Sequence, residues 1–324
     1  MKKNSGKRKI SEKISETIMS ALAGIGVLAI LFIFVFVFLR ALPVFKESGI
    51  GLFISTGFER QVVTAYGSAE PLYSFGLLGL ITGTLATTTL AIVTASLIGI
   101  GSAVVISEFA PRPLAYSLTS LVRLLASIPS VIFGLVGVII VVPFISSLFV
   151  TTELQLQYLS RFQITGRGLL ASVIVLTFML VPTVTALSAD AIAAVPKRFK
   201  EAGYAMGMTR FRVILKIILP TGRSGIIASV ILAAGRGIGE AIALAMVCGG
   251  IGLVPDLSLG FVTLLAPVLP LSAAIMVNSE GAGSQSVSAA LFACAAVLLL
   301  IGTVLSITAR AVNSYMRKKI GDAA

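Results

Sequence analysis

The chain has 324 residues, 57% of them hydrophobic and 12% charged, with a mean hydropathy of +1.05 and a net charge of +12. Soluble domains carry about 25% charged residues, so this composition excludes one, and the lack of any histidine excludes histidine triads and histidine metal sites. Barrel strands would need short alternating segments; runs of about 20 apolar residues point instead to an all-α polytopic membrane protein.

Six basic residues in Met1–Lys13 precede the first apolar run, 17–39. A cleaved leader would have an apolar stretch of about 7–15 residues. This run is longer and ends at Arg40, so it reads as a retained span. Residues 41–75 form an outer loop, and the second span, 76–107, is long enough to tilt or to extend beyond the lipid. Leu114–Leu125 contains Arg123 and reads as partly interfacial before a third span at 124–145. The fourth, fifth and sixth spans fall at 168–189, 224–249 and 287–309, with outer loops at 146–167 and 250–286.

The placement of Lys and Arg orients this map. Six lie in 1–16, Arg112 and Arg123 follow, seven lie in 197–223 and four in 310–319. The outer loops hold only Arg40, Lys46, Arg60, Arg161 and Arg167. By the positive-inside rule both termini are cytoplasmic, and the net positive charge reflects topology and not a nucleic-acid partner. Cys248 and Cys294 sit in apolar spans, where cysteine is ordinarily a small hydrophobe.

The cytoplasmic segment 196–220 is charged yet helically patterned. Pro196 suits a first helical position, and Phe199, Ala202, Gly203 and Met206 repeat at helical spacing. Gly207 permits a turn, Thr209 suits an N-cap, and Phe211, Ile214, Leu215 and Ile218 repeat the apolar pattern before Pro220 stops the helix. Two short amphipathic helices joined at a glycine are expected. On periodicity alone they could be a surface hairpin resting on lipid headgroups. No P-loop motif occurs in the chain, so it cannot cradle ATP phosphates that way.

The run Glu201-Ala202-Gly203, three residues, Gly207, nine residues, then Ile217-Ile218-Leu219-Pro220 resembles the EAA loop of ABC importer permeases. Only Gly203 departs, standing where alanine is usual. The resemblance implies a type I ABC importer transmembrane domain of about six helices. In it the loop docks on a separate ATPase through Glu201, Ala202, Gly203, Tyr204 and Gly207.

Further stretches are similar to the phosphate importer permeases of the PstC/PstA family. They are Ser107–Pro111, Leu124–Gly134, Val138–Ile145 (which leans toward PstC), Leu187–Ile192 with Val195-Pro196, and Gly235-Arg236-Gly237-Ile238-Gly239-Glu240. Gly237 and Ala241 depart from the usual Ala and Thr of the last motif. The likeness covers about 76–310. It divides the chain into an N-terminal tail, first span and outer loop (1–75), a permease core (76–312) and a basic tail (313–324). The implied partners are a PstB-like ATPase dimer carrying ATP and Mg, a second, PstA-like permease and a PstS-like phosphate-binding protein, all at a lipid bilayer. The chain itself holds no cofactor and catalyses no covalent step.

Arg236 and Glu240 are expected four apart on one helix face. A charge at mid-bilayer costs at least about 3 kcal/mol. The pair reads either as an internal ion pair locking helix packing or as a transient anion site, with Glu240 holding Arg236 between passages. Ser127 and Ser130 flank Pro129 and are second candidates for the substrate pathway. A packing kink with self-satisfied serines is the alternative. The threonines at 82, 84, 87–89 and 94 could line a path or bond their own helix. The rival functions are a permease for another oxyanion such as molybdate, and an ATP-independent channel or carrier gated by Arg236 and Glu240.

Overall fold

The computed structural model describes residues 4–68 and 70–321. Met1–Lys3 and Asp322–Ala324, the extremities of the two basic tails, lie outside the described residues, as do the side chains of Asn4–Ser15. Among the described residues six helices are long and apolar enough to cross a membrane: Glu16–Ser48, Leu78–Phe109, Ser130–Phe149, Leu169–Ala193, Arg210–Ile238 and Gln285–Ala311. Among the described residues there is no strand beyond one isolated bridge, Gly249 to Val268.

The second and fourth spans pack along most of their length. Between them helix approach is set by side-chain size, because lipid supplies no hydrophobic force to push spans together. A Cβ added at Gly99 would stand 2.8 Å from the Val184 Cβ, and the Thr94 and Thr177 hydroxyls meet at 2.7 Å. The fifth span joins the fourth through a buried Ser188–Ser229 hydrogen bond of 2.8 Å. The first span leans on the sixth near its later half, where Val37, Ala41 and Val44 are buried and Phe36 meets Phe292 edge-on at 5.6 Å. Its earlier turns are exposed throughout, as a lipid-facing helix requires.

Three expectations are corrected. The third span begins at Ser130, because Arg112–Ala126 is a separate amphipathic helix with no buried residue. Pro220 does not stop the helix; the chain runs from Arg210 to Ile238. Finally, the stretch at 250–286 is not simply an outer loop, since Leu265–Ala274 is buried inside the bundle. Irregular backbone survives there because protein groups satisfy it: Leu271 N–H donates to Thr84 Oγ1 at 2.8 Å, and Val268 N–H to the Cys248 carbonyl at 2.8 Å.

The survival of Pro220 inside a helix has a local cause. A proline ring clashes with the carbonyl four residues back. A widened π turn, Ile214–Ile218, precedes it, with Leu219 N–H reaching back to the Ile214 carbonyl. The same device precedes Pro143, where Val142 N–H reaches Gly137, and Pro111, where Ala110 N–H reaches Val105. Each π turn keeps the residue just before the proline hydrogen-bonded, while the proline itself, lacking an N–H, donates none.

The Gly99 contact is directly testable. Gly99→Ala should destabilise the folded chain by about 1–3 kcal/mol through overpacking. Gly101→Ala, where nothing lies within 4 Å, should leave the thermal midpoint in detergent unchanged or raise it.

Candidate functional site: a charged helical lever and a half-buried arginine

The lever begins with helix Lys197–Ala205, for which Pro196 is the N-cap and not the first helical residue as expected. Gly207 turns the chain at φ +72°, a left-handed conformation that costs a residue with a side chain. Thr209 then caps Arg210–Val213, its Oγ1 accepting from Arg212 N–H. The two arms close on each other at Gly203, the one buried residue of the first helix. A Cβ there would lie 2.5 Å from Ile217 Cδ1 and 3.1 Å from Val213 Cγ2.

The tip of the Ile217 side chain therefore occupies the space an alanine methyl would take. Gly203 does not belong to an outward contact surface, contrary to expectation. Glu201, Ala202, Tyr204, Met206 and Gly207 are exposed. Beneath the lever a buried cluster of Ala103, Ile192, Val195, Val213, Ile214 and Ile218 ties it to the ends of the second, fourth and fifth spans.

The second part of the site lies where the fifth span ends. The helix stops at Ile238, with Gly239 as C-cap, and a new short helix runs Ile242–Val247. Arg236 and Glu240 therefore do not share a continuous helix face, which corrects the sequence reading. Glu240 is 8% exposed and turns toward the new helix, its Oε1 accepting from Ala243 N–H at 3.1 Å. A carboxylate at a helix start satisfies an otherwise orphaned donor. Its own carbonyl accepts from the Ser272 hydroxyl at 2.6 Å. Glu240 thus stitches the break and does not hold Arg236.

Arg236 instead uses neutral partners. One guanidinium nitrogen donates to Thr183 Oγ1 at 3.2 Å and to the Ala126 carbonyl at 3.4 Å. Thr183 lies near the middle of the fourth span, just after its internal proline. Ala126 ends the amphipathic helix, so Arg236 reaches the break Ser127-Ile128-Pro129 that precedes the third span. Among the described residues Arg236 forms no ion pair. Ser127 is exposed and donates to the Leu124 carbonyl at 2.7 Å, the self-satisfied geometry of a helix end. Ser130 is the first residue of the third span.

The structure adds residues that the sequence reading passed over. Thr183 carried no signal beyond a hydroxyl beside Pro182. Glu108 forms an ion pair with Lys200, and Arg210 lies over the Phe109 ring, 4.8 Å from its centroid. Arg123 pairs with Asp190 at 2.9 Å on the surface. A charged residue at the end of an apolar span was the available clue to Glu108, but its partner lies 92 positions away. Of the threonines, Thr82 bonds its own helix, whereas Thr84 and Thr94 also reach neighbouring elements.

The Gly203 geometry makes a specific prediction. Gly203→Ala needs only the tip of Ile217 to swing aside and gains about 1 kcal/mol of helix propensity, so the thermal midpoint should change little. Gly203→Leu, too large for that movement to accommodate, should lower it.

Comparisons with known proteins agree with this architecture. The family model described as "Binding-protein-dependent transport system inner membrane component" matches residues 95–318. The phosphate transport system permease protein PstC of Mesorhizobium japonicum is 32% identical over 258 residues, 76% of this chain and 74% of that one. PstC 1 of Mycobacterium bovis is 30% identical over 294 residues, 86% of this chain and 85% of that one. The probable ABC transporter permease protein YqgH of Bacillus subtilis is 37% identical over 188 residues, 58% of this chain and 56% of that relative. An inward-facing chain of the MetNI methionine ABC transporter superposes with a TM-score of 0.55 at 18% identity, covering 74% of this chain and 95% of that one, a likeness of fold. With more than half its length matched and six membrane-crossing helices, the chain belongs to the family of binding-protein-dependent transport system inner membrane components, as a multi-pass protein of the inner membrane.

Proposed function

We propose that the chain is the PstC-like permease subunit of an ATP-driven phosphate importer. It lines the translocation pathway and takes mechanical work from a separate ATPase. Both termini and the lever at 196–220 face the cytoplasm, as the Lys and Arg bias favours. A PstB-like ATPase dimer binds ATP and Mg below, a PstA-like second permease completes the pathway, and a PstS-like protein delivers phosphate from outside. The names of the PstC relatives support the substrate. The exposed face of Glu201, Ala202, Tyr204 and Gly207 supports the docking role.

The observation that carries the anion reading is Arg236, a half-buried guanidinium held only by neutral acceptors on the fourth span and the amphipathic helix. Neutral partners keep the cation solvated without cancelling its charge, so an arriving oxyanion meets a full positive charge and a planar donor fork. When Arg236 turns to the anion, the Ala126 carbonyl is left as an acceptor beside it. Phosphate keeps a proton at neutral pH and can donate to that carbonyl, whereas sulfate cannot. ATP binding closes the ATPase dimer, the lever moves with it, and the spans change the side to which Arg236 is open.

Reconstitution with the ATPase, second permease and receptor tests this reading. Phosphate uptake should depend on ATP and exceed sulfate and molybdate uptake. Preference for molybdate would favour another oxyanion permease, and flux surviving ATP depletion would favour a channel. Arg236→Ala should abolish uptake while the complex still assembles. Arg236→Lys should recover little, because an ammonium cannot reproduce the planar fork.

A further inference from the structure

Two neighbouring residues at the end of the second span hold the lever on both sides of its glycine turn. Lys200, on the first short helix, pairs with Glu108. Arg210, which opens the second, stacks over Phe109. The side chains of Glu108 and Lys200 are 8% and 21% exposed, against 59% and 54% for Arg123 and Asp190. That difference separates their roles. An exposed pair contributes little, whereas removing one member of a buried pair strands an uncompensated charge. A cation over an aromatic face adds a second point of attachment.

The lever is joined by the chain itself only to the fourth and fifth spans. The second span is a neighbour with no direct covalent link to it; beside the apolar contact at Ala103, Glu108 and Phe109 supply the charged and aromatic connection. Both belong to the π turn Val105–Phe109. Just beyond, Pro111 redirects the chain into the amphipathic helix Arg112–Ala126, whose last carbonyl accepts from Arg236. A continuous line of contacts thus runs from the lever, through Glu108 and the amphipathic helix, to the arginine.

Building on the function proposed above, we propose that Glu108 and Phe109 clamp the second span and the amphipathic helix to the lever. Movement imposed by the ATPase then reaches Arg236 along the Arg112–Ala126 helix. Glu108 is a positioning residue, acting through Lys200 and touching no anion. The clamp moves as one body with the lever through the transport cycle.

The test uses the full complex in proteoliposomes, with ATP hydrolysis and phosphate uptake followed together. Glu108→Gln and Lys200→Met should each lower phosphate moved per ATP by about tenfold, equivalent to about 1.4 kcal/mol of lost coupling, while hydrolysis continues. The exchanged pair, Glu108→Lys with Lys200→Glu, should recover much of that ratio. An unchanged ratio in the single variants, or an exchange no better than either, would overturn the clamp.

A second measurement stands even if the single variants assemble poorly. With Glu108→Cys and Lys200→Cys, phosphate moved per ATP should be low until a short bis-methanethiosulfonate joins the two positions, and joining should restore it, since they travel together. Joining that fails to raise uptake, or lowers it further, would show that they separate during the cycle and sink the proposal. Failure of the unaltered chain to assemble with any ATPase would instead remove the importer reading, and the clamp with it.

Discussion

Lipid offers no hydrogen bonds, and every interruption of a span in this fold is arranged around that fact. Where the fifth span stops at Ile238, Glu240 caps the following helix and Ser272 bonds the Glu240 carbonyl. Where the chain re-enters the bundle around Pro267 and Pro270, Thr84 and the Cys248 carbonyl receive its amides. These are not independent repairs. The carboxylate that closes one break lies on backbone held by the re-entrant segment, and that segment is held by a threonine of the second span. The helices surround a buried, irregular centre whose polar groups satisfy one another.

The same economy explains how charge is tolerated. Glu240 accepts from the backbone at a helix start, and Glu108 pairs with a lysine at the margin of the bundle. The Arg236 guanidinium donates to neutral oxygens, one on a side chain and one at a helix end. Both acceptors sit on elements other than the arginine's own. A relative shift of the fifth span against the fourth span or the amphipathic helix therefore changes how the charge is solvated.

Much of this was legible in the residues. The six spans follow from apolar length alone, and the helix–glycine–helix lever follows from periodicity and the left-handed Gly207. The errors have definite causes. Arg236 and Glu240 are spaced as helical neighbours, and nothing local reveals that Gly239 ends the helix between them. Pro220 was read as a stop because helical spacing does not register a widened turn. The Gly, Ser and Pro content of 250–286 suits an exposed loop equally well as backbone threaded through a bundle. Thr183 and Glu108 needed contacts across 53 and 92 positions, which a single chain does not display.

The widened turn ahead of Pro220 carries one residue more than an α turn. In an ordinary helix, residues four apart drift around the axis by about 40° per step, since each residue advances about 100°. Ile214, Ile218, Gly222 and Ile226 step by four and are all buried. The extra residue absorbs part of that drift, so one unbroken seam runs from the lever arm into the transmembrane rod. Handle and shaft thus share a single apolar stripe packed against the end of the fourth span, with no slipping joint between them.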